Sequence, residues 1–367
     1  MKLSEYYYNL PKTLIAQHPS EKRDHCRLLT LDRHSGLIEH KIFKDISKLL
    51  RKGDLLVLNN TKVIPARLIG FKDPSMGRLE MLMLSKEPVN GEFWNCLINR
   101  RKNLAAGQKI IFKDTASYAL IKEVKNDCFL MEFVLEKGLD IKGFMEKFGY
   151  APLPPYIKRD HGNMLEDKED KIKYQTIFAK HDGSIAAPTA GLHFTDALMA
   201  ELRTMGVEFT EVTLHVGRGT FMPIKAENIE DHVMGLEYYE VSEASATAIN
   251  KAKNEDRRVI AVGTTAIRTL ETVFKEHKRV EKASGWSGLY ITEGYNFGVI
   301  DGIITNFHLP ESTNLILICA FAGRKQVLDA YNEAVRLKYG FYSYGDACFI
   351  FQMPEKTSPF RVRMNPA

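Results

Sequence analysis

Three histidines of this sequence lie in segments rich in small and polar residues, where a side chain can meet a ligand. His193 is the penultimate residue of the segment GSIAAPTAGLHF, His215 lies in LHVGRGT and His308 lies in NFHLPEST. Because the ordinary pKa of an imidazole is close to neutrality, each of them can take up a proton near pH 7. We therefore predict that a general base is among His193, His215 and His308. The alternative is a carboxylate whose pKa is raised by burial, namely Asp182, Glu271 or Asp346.

The same loops carry hydroxyl, amide and backbone groups that can bind a polar ligand. Thr264-Thr265 and Ser312-Thr313 each open a predicted helix, and a helix N-terminus favours anionic groups such as a carboxylate. Arg268 and Glu271 follow Thr264 at i+4 and i+7, a spacing that puts all three residues on one helix face. We predict a polar cleft for a ligand with a carboxylate and sugar hydroxyls. The predicted substrate-binding residues are Ser184, Thr189, Gly217, Gly219, Thr220, Thr264, Thr265, Arg268, Glu271, Asn306, Ser312 and Thr313.

Several well-known site motifs are missing from the sequence. There is no P-loop, and the glycine turn at Gly217 and Gly219 lacks the third glycine of a dinucleotide-binding fingerprint. Ser184 does not lie in a nucleophile elbow, and no His, Cys and Asp residues have metal-ligand spacing. We therefore predict chemistry by positioned polar groups, without a metal or a prosthetic group.

The composition is that of a globular protein with a mild positive charge. The chain has 367 residues, 44% of them hydrophobic, and 51 basic against 46 acidic residues give a net charge of +5. This charge is too small for a uniformly basic nucleic-acid surface, so any RNA contact must come from a local patch. The predicted RNA-binding patch is Arg100, Arg101 and Lys102.

The cysteines and the apolar segments indicate a cytoplasmic protein. The five cysteines are far apart and form no CxxC pair, which argues against a disulfide framework. Met1–Leu10 has no apolar core of the kind a signal peptide needs, and the longest apolar run, Leu315–Ala322, is too short to cross a membrane.

Six short β-type runs follow one another from Ala66 onward, with turn residues between them. Their number and their spacing of roughly ten to fifteen residues predict a small antiparallel β-barrel. Whether such a barrel binds nucleic acid or serves only as a scaffold is left open by the sequence. The runs are ARLIGF, RLEMLML, EFWNCLIN, QKIIF, SYALIKEV and CFLMEFVL.

After the PLPP segment at Pro152–Pro155, strands alternate with loops and helices. This alternation predicts a layered α/β domain with helices over a mainly parallel sheet. Ligands bind beyond the carboxyl ends of the strands in such sheets, where the polar loops are expected to meet. The predicted domains are residues 1–61 and 151–353 for the α/β domain, 62–150 for the inserted barrel and 354–367 for a poorly ordered tail.

Five long motifs follow one another in the order found in a known enzyme family. GSIAAPTAGLHFT, VTLHVGRGTF, AVGTTAIRTLE, ITNFHLPEST and FYSYGDA resemble those of the S-adenosylmethionine:tRNA ribosyltransferase-isomerases of queuosine synthesis. The amino-terminal stretches LPKTLIAQHPSEKRD and GDLLVLNNTKVIPARL are similar to the same family, so the resemblance extends to about Ile350. It adds Tyr344 and Asp346 of FYSYGDA to the predicted substrate-binding residues. It also implies an α/β domain with an inserted β-barrel, in agreement with the pattern of elements.

The resemblance implies an unusual reaction. The ribosyl part of S-adenosylmethionine is attached to the aminomethyl group of a 7-deazaguanine base at the wobble position of a tRNA. Adenine and methionine leave, and the sugar is rearranged to the epoxycyclopentane of epoxyqueuosine. S-Adenosylmethionine is then a co-substrate, and the partner is a tRNA that carries 7-aminomethyl-7-deazaguanine. We expect the protein to be a monomer.

Several positions depart from the family pattern, among them Arg218 and Met222 around the glycine turn. Gly235 stands where the motif D-H-x-M-H-x-E-Y has its second histidine, and Glu293 stands where a proline usually precedes Gly294. The imidazole that the family has at position 235 is therefore absent from this chain, whereas the central motifs are intact.

Two other functions compete with this interpretation. One is a tRNA-binding or assembly protein with a non-catalytic cleft, in which the barrel is the working part. The other is a sugar-nucleotide transferase of similar architecture that does not use RNA. Release of free adenine in the presence of both S-adenosylmethionine and modified tRNA distinguishes all three.

Overall fold

Strands and helices alternate on either side of a run of six consecutive strands. The computed structural model describes residues 1–99, 104–159, 164–217 and 224–352. The strands of these residues are β1 (Arg27–Asp32), β2 (Ile38–Ile42), β3 (Leu55–Asn59), β4 (Thr61–Val63), β5 (Arg67–Lys72), β6 (Arg78–Lys86), β7 (Phe93–Ile98), β8 (Lys109–Ile111), β9 (Tyr118–Val124), β10 (Phe129–Val134), β11 (His181–Ser184), β12 (Glu208–Leu214), β13 (Glu237–Val241), β14 (Val259–Val262), β15 (Ala283–Ser287), β16 (Gly302–Asn306) and β17 (Ala347–Phe351). Their α-helices are α1 (Ile141–Phe148), α2 (Met164–Lys173), α3 (Asp196–Thr204), α4 (Glu243–Asn254), α5 (Thr264–His277), α6 (Thr313–Ala322) and α7 (Arg324–Arg336).

The α/β fold predicted from the sequence is confirmed, but its sheet is mixed rather than mainly parallel. Within the described residues it has nine strands in the order β15-β13-β12-β3-β14-β16-β17-β1-β2. Four of the eight neighbouring pairs are parallel, namely β12–β3, β3–β14, β14–β16 and β17–β1. The other four, β15–β13, β13–β12, β16–β17 and β1–β2, are antiparallel.

The reversal between β16 and β17 follows from the two helices that separate them. One helix returns the chain to the edge of the sheet at which the preceding strand began, which makes the next strand parallel. Here α6 is followed directly by α7. The second helix brings the chain back to the opposite edge, and β17 therefore runs against β16.

The central strands are buried on both faces. Along β3, Leu55 and Val57 belong to the core cluster that includes residues of α4, α5, α6 and α7. Leu56 and Leu58 belong to a second cluster that includes residues of α3. Since successive side chains of a strand point to opposite faces, these two clusters lie on the two sides of the sheet.

The predicted six-stranded antiparallel barrel is confirmed. Strands β5 to β10 close in the order β10-β7-β6-β5-β8-β9, and every pair among them is antiparallel. Alternate residues fill a separate apolar core inside the barrel, including Leu68, Met81 and Ile121. The exact bounds of the two domains stay predictions, and the segment 354–367 lies outside the described residues.

The sheet brings several chain segments to one edge. The carboxyl ends of the parallel strands β3, β14 and β16 meet there. Because β17 is antiparallel to β16, its amino end lies at the same edge, with Asn306 opposite Ala347. Among the described residues, no helix is both long and apolar enough to cross a membrane.

Candidate functional site

A cavity of about 510 Å³ lies at this edge of the sheet. Its volume falls in the range of small-molecule binding sites. It is lined by residues 155–156, 186–190, 263–265, 305–314 and 342–343, together with Val216. The predicted site residues among them are Thr189, Thr264, Thr265, Asn306, His308, Ser312 and Thr313.

Two helix N-termini line the cavity. Helix α5 begins after Gly263, which has a φ of 91° and offers no side-chain cap to the first turn. Helix α6 begins after Ser312, whose hydroxyl accepts a hydrogen bond from the Leu315 amide. Neither first turn contains an acidic residue, although Glu311, which precedes the Ser312 cap, also lines the cavity. The positive ends of both helix dipoles favour an anionic group of a ligand.

Asn306 lies at the end of β16 and lines the cavity, although only 3% of its surface is exposed. Its amide nitrogen lies 3.1 Å from the Tyr342 carbonyl oxygen and 3.1 Å from Nε2 of His193. Its amide oxygen has no hydrogen-bond partner in the described part of the chain. Asn306 therefore has one hydrogen-bond acceptor that the described part of the protein leaves unused.

His193 lies behind Asn306 and does not line the cavity. Nδ1 lies 3.1 Å from the Cys26 sulfur, so both ring nitrogens are engaged. Burial and the nearby Arg23 lower the pKa of His193 to about 4, and burial raises the pKa of the Cys26 thiol. Both side chains are therefore neutral near pH 7, and the pair is not the thiolate–imidazolium of a cysteine nucleophile. The catalytic role predicted for His193 stays a prediction, and its contacts favour positioning Asn306.

His308 is the predicted histidine that lines the cavity. Its Nε2 lies 2.9 Å from the Thr305 hydroxyl, and its carbonyl oxygen accepts a hydrogen bond from the Tyr8 hydroxyl. Burial lowers the pKa of His308 to about 3, which leaves the ring unprotonated at neutral pH.

His215 lies beside the cavity rather than in it. Its Nδ1 lies 2.7 Å from the Thr61 hydroxyl, and its ring stacks on Tyr238 with centroids 5.8 Å apart. A Cβ on Gly183 would lie 2.8 Å from Nε2 of His215, so only glycine allows this approach. Burial and the neighbouring His181 lower the pKa of His215.

Other predicted substrate-binding residues support the cavity wall from outside. The Ser184 hydroxyl donates to the Ala186 carbonyl at 2.7 Å and accepts from the Val216 amide at 2.9 Å. The Gly217 amide donates to the Glu237 carboxylate at 2.9 Å, and Arg268 forms a buried ion pair with the same carboxylate.

The side chains of three further predicted residues contact other parts of the protein rather than the cavity. Glu271 is fully buried and accepts hydrogen bonds from the amides of Gly298 and Val299 at 3.0 and 3.1 Å. Burial raises the pKa of Glu271, whereas these amides oppose the rise. Asp346 accepts from the backbone amides of Arg27 and Gly340, each at 2.7 Å. Tyr344 packs edge-on against Tyr174. None of the three lines the cavity.

The placement of Glu271 has a simple geometric reason. The i, i+4, i+7 spacing does put it on the same face of α5 as Thr264. Seven residues at about 1.5 Å each, however, carry it about 10 Å along the helix axis, away from the sheet edge. Only the first turn of α5 reaches the cavity.

Some predicted residues lie outside the described part of the chain. These are Gly219 and Thr220 of the glycine turn and the RNA-binding candidates Arg100, Arg101 and Lys102. In the part that is described, no group of three or more His, Cys, Asp and Glu side chains could hold a metal ion.

The sequence analysis missed an aromatic wall of the cavity. Tyr156 and Tyr342 line it with ring centroids 3.9 Å apart, and the Tyr156 hydroxyl lies 2.6 Å from the Ser343 hydroxyl. Tyr342 has a φ of 73°, in the left-handed region that non-glycine residues rarely adopt. Tyr342 and Ser343 belong to the motif FYSYGDA, which was a signal, whereas Tyr156 in the polar connector had none.

Comparison with known proteins agrees with the motifs. Residues 3–350 match the model of a family described as queuosine biosynthesis protein. The chain belongs to this family. A relative from Desulfitobacterium hafniense is 47% identical over 350 residues, which are 95% of this chain and all of the relative. A relative from Caldanaerobacter subterraneus is 47% identical over 355 residues, with the same coverage. Both are named S-adenosylmethionine:tRNA ribosyltransferase-isomerase.

A solved member of the queuosine family agrees with the fold. The crystal structure of an S-adenosylmethionine tRNA ribosyltransferase from Thermotoga maritima matches with a TM-score of 0.54 and 33% identity. The match covers 95% of this chain and all of that one. The family resemblance predicted from the sequence is thus confirmed, together with the enzyme class, a transferase.

Proposed function

We propose that this protein transfers the ribosyl group of S-adenosylmethionine to the 7-aminomethyl-7-deazaguanine wobble base of tRNA and isomerises it. The product is epoxyqueuosine, and adenine and methionine are released. One observation carries the proposal: all five family motifs contribute at least one residue to the same cavity. These residues include Thr189, Val216, Thr264, Asn306 and Ser343. The names of the relatives support the choice of S-adenosylmethionine and tRNA as substrates.

The two helix N-termini can bind the carboxylate of the methionine part of S-adenosylmethionine. The first turn of α5 has no side-chain cap, so its backbone N–H groups remain available to an anion. Thr264 and Thr265 add hydroxyl groups at the same point. We assign the carboxylate to this end of the cavity and the nucleoside to the region between Asn306 and the aromatic wall.

His308 is our candidate for the general base. The sulfonium of S-adenosylmethionine makes the neighbouring ribose C–H acidic, and a base must remove this proton. His308 lines the cavity, and its low pKa keeps it unprotonated at neutral pH. The same low pKa makes it a weak proton acceptor, so its contribution belongs at the lower end of the usual 10²–10⁴-fold. His215 is the second candidate, because the chain passes from it directly into the cavity wall at Val216.

The remaining assignments complete the proposal. The patch of Arg100, Arg101 and Lys102, which follows β7 of the barrel, contacts the tRNA backbone. The enzyme acts as a cytoplasmic monomer, with S-adenosylmethionine as co-substrate and no metal or prosthetic group. This last assignment rests on the lack of metal-ligand spacing in the sequence.

Measurement of adenine release tests the proposed function. The protein is incubated with S-adenosylmethionine and with tRNA that either carries or lacks 7-aminomethyl-7-deazaguanine, with and without a metal chelator. We expect adenine only with the modified tRNA, and no effect of the chelator. Binding of tRNA without adenine release would favour an assembly protein. Transfer from a sugar nucleotide without RNA would favour the third function. Loss of activity on chelation, restored by Zn²⁺ or Mg²⁺, would refute the metal-free mechanism.

A further inference from the structure

The orientation of the Asn306 amide is determined by a backbone carbonyl. The nitrogen lies 3.1 Å from the Tyr342 carbonyl oxygen, which can only accept a hydrogen bond. The NH₂ group must therefore be on this side, and the amide oxygen is on the other. This assignment does not depend on the protonation state of any side chain.

The second hydrogen of the Asn306 amide determines the tautomer of His193. It lies towards Nε2 of His193, which is 3.1 Å away and must therefore accept. The ring proton is then on Nδ1, which lies 3.1 Å from the Cys26 sulfur. Burial lowers the pKa of His193 to about 4, so the neutral ring that this arrangement needs is the form present near pH 7.

Both donors of Asn306 are thus used by the protein, and its acceptor is left without a partner. The side chain is 97% buried, and its oxygen has no partner among the described residues. A buried acceptor without a partner is costly, and native structures rarely contain one without a reason. The oxygen is shielded from a water-sized molecule, so a ligand in the cavity that Asn306 lines reaches it when the side chain or its surroundings shift.

We propose that the amide oxygen of Asn306 accepts a hydrogen bond from an N–H group of the substrate. His193 is a positioning residue that holds the Asn306 amide in the required orientation. The donor is an amino group of a nucleobase. Within the proposed function, on which this inference rests, the 6-amino group of S-adenosylmethionine and the amine-bearing deazaguanine of the tRNA are the two sources. A hydrogen bond to the 6-amino group would select adenine over purines without this group.

The first experiment measures selectivity for the amino group by calorimetry without tRNA. The probes are S-adenosylmethionine and its analogue with hydrogen in place of the 6-amino group. We expect the wild type to bind the amino compound at least about tenfold more tightly, because the analogue leaves Asn306 unpaired. In Asn306→Ala this ratio falls to about one.

The matched control is Asn59→Ala. Asn59 is also a buried asparagine at the end of a strand of this sheet, but its amide is fully used by the protein and it does not line the cavity. Its replacement disturbs the framework to a similar or greater extent. We expect the selectivity ratio of Asn59→Ala to remain that of the wild type.

Two variants test the positioning role of His193. His193→Phe removes the acceptor for Asn306, and we expect the selectivity ratio to fall several-fold. His193→Gln keeps an oxygen that can accept from the Asn306 amide, and we expect it to retain most of the ratio. A merely structural role would lower stability in both variants and leave the ratio unchanged. If the variants do not fold, the ratio of the wild type itself still tests whether the 6-amino group is read.

A second arm separates the two sources of the donor. If the ratio of the wild type is already near one, the KM for modified tRNA is compared in wild type and Asn306→Ala. A rise of tenfold or more, with an unchanged KM for S-adenosylmethionine, assigns the donor to the deazaguanine. If neither the ratio nor either KM changes, the inference is wrong. Should the wild type show the ratio and yet release no adenine, the proposed function is wrong while the role of Asn306 stands.

Discussion

Two buried asparagines, Asn59 and Asn306, lie at the ends of strands of the same sheet. They differ in whether all of their amide groups are paired within the protein. Asn59, at the end of β3, donates to the Leu214 carbonyl and the Thr265 hydroxyl and accepts from the amides of Thr61 and Leu214, all at 3.0–3.1 Å. Asn306, at the end of β16, donates to His193 and Tyr342, and its oxygen is unpaired. The first lies outside the cavity, and the second lines it.

This difference in pairing distinguishes polar groups that support the site from polar groups that can bind a ligand in it. A polar side chain whose donors and acceptors are all paired within the protein has nothing left for a ligand. The same distinction applies to two of the histidines, since His193 has both ring nitrogens engaged behind the cavity and His308 lines it. Glu271 and Asp346 belong with Asn59, because backbone amides already occupy their carboxylates.

The largest effect is expected from the histidine in the cavity. His308→Gln should lower single-turnover ribosyl transfer by about 10²–10⁴-fold, nearer the lower value because the base is weak. Exchange of the ribose C5′ hydrogens with solvent, where the wild type shows it, should fall with the transfer rate. His277→Gln, on the surface at the end of α5, serves as the control and should retain the wild-type rate. Transfer within about threefold of the wild type in His308→Gln would exclude this residue as the base and point to His215 or a carboxylate.

The two asparagines should differ in stability as well as in selectivity. Asn59→Ala leaves up to four partner groups unpaired, whereas Asn306→Ala leaves two. At about 0.5–1.5 kcal/mol for each lost hydrogen bond, we expect a loss of about 2–6 kcal/mol in the free energy of unfolding for Asn59→Ala. For Asn306→Ala we expect about 1–3 kcal/mol. Urea unfolding of both variants measures this, and the opposite order would contradict the comparison.

His193 should make the protein sensitive to acid. Its pKa is about 4 in the folded protein and about 6.5 in the unfolded chain, so the unfolded chain takes up the proton first as the pH falls. The contribution is fully present above pH 6.5 and is lost as the pH falls towards 4. It amounts to about 3 kcal/mol at 1.36 kcal/mol per pKa unit. In urea unfolding between pH 7 and pH 4, His193→Gln should lose correspondingly less stability than the wild type. An equal loss of unfolding free energy in the two proteins between pH 7 and pH 4 would show that His193 does not cause this acid sensitivity.

The smallest effect is expected from the basic patch that follows β7 in the sequence. Replacing Arg100, Arg101 and Lys102 by alanine should weaken tRNA binding and lower the slope of log affinity against log salt by about 0.7–0.9 for each lost phosphate contact. The control replaces three exposed lysines of the α/β domain, Lys48, Lys251 and Lys325, and removes the same charge. We expect the control to keep the wild-type slope. An equal slope in the patch variant and the wild type would place the RNA elsewhere.

Local patterns were sufficient to predict most of the elements. Helix α5 has the predicted bounds Thr264–His277, because a glycine with positive φ and an apolar stripe define its start and its core face. The barrel strands were recognisable from the turns between short β-type runs. The direction of β17 was not, since periodicity reports which face of a strand is buried and not which way the strand runs.

The candidate site was predicted in part for a similar reason. The sequence gives residue types and spacing, so Thr264, Asn306 and His308 could be proposed as ligand contacts, and all three line the cavity. It does not give the tertiary partners that occupy a polar group. Glu271 and Asp346 were therefore indistinguishable from Asn306, and Tyr156 lay in a polar connector without any signal. The contact between Cys26 and His193 joins residues 167 positions apart, which no local pattern reveals.

A crystal structure with S-adenosylmethionine and free 7-aminomethyl-7-deazaguanine tests the central claim most directly. We predict that S-adenosylmethionine occupies the 510 Å³ cavity, with its carboxylate at the first turn of α5. An N–H of one of the two ligands should lie about 2.7–3.2 Å from the Asn306 amide oxygen. S-Adenosylmethionine bound outside this cavity, or an Asn306 oxygen that faces no donor from either ligand, would contradict the account.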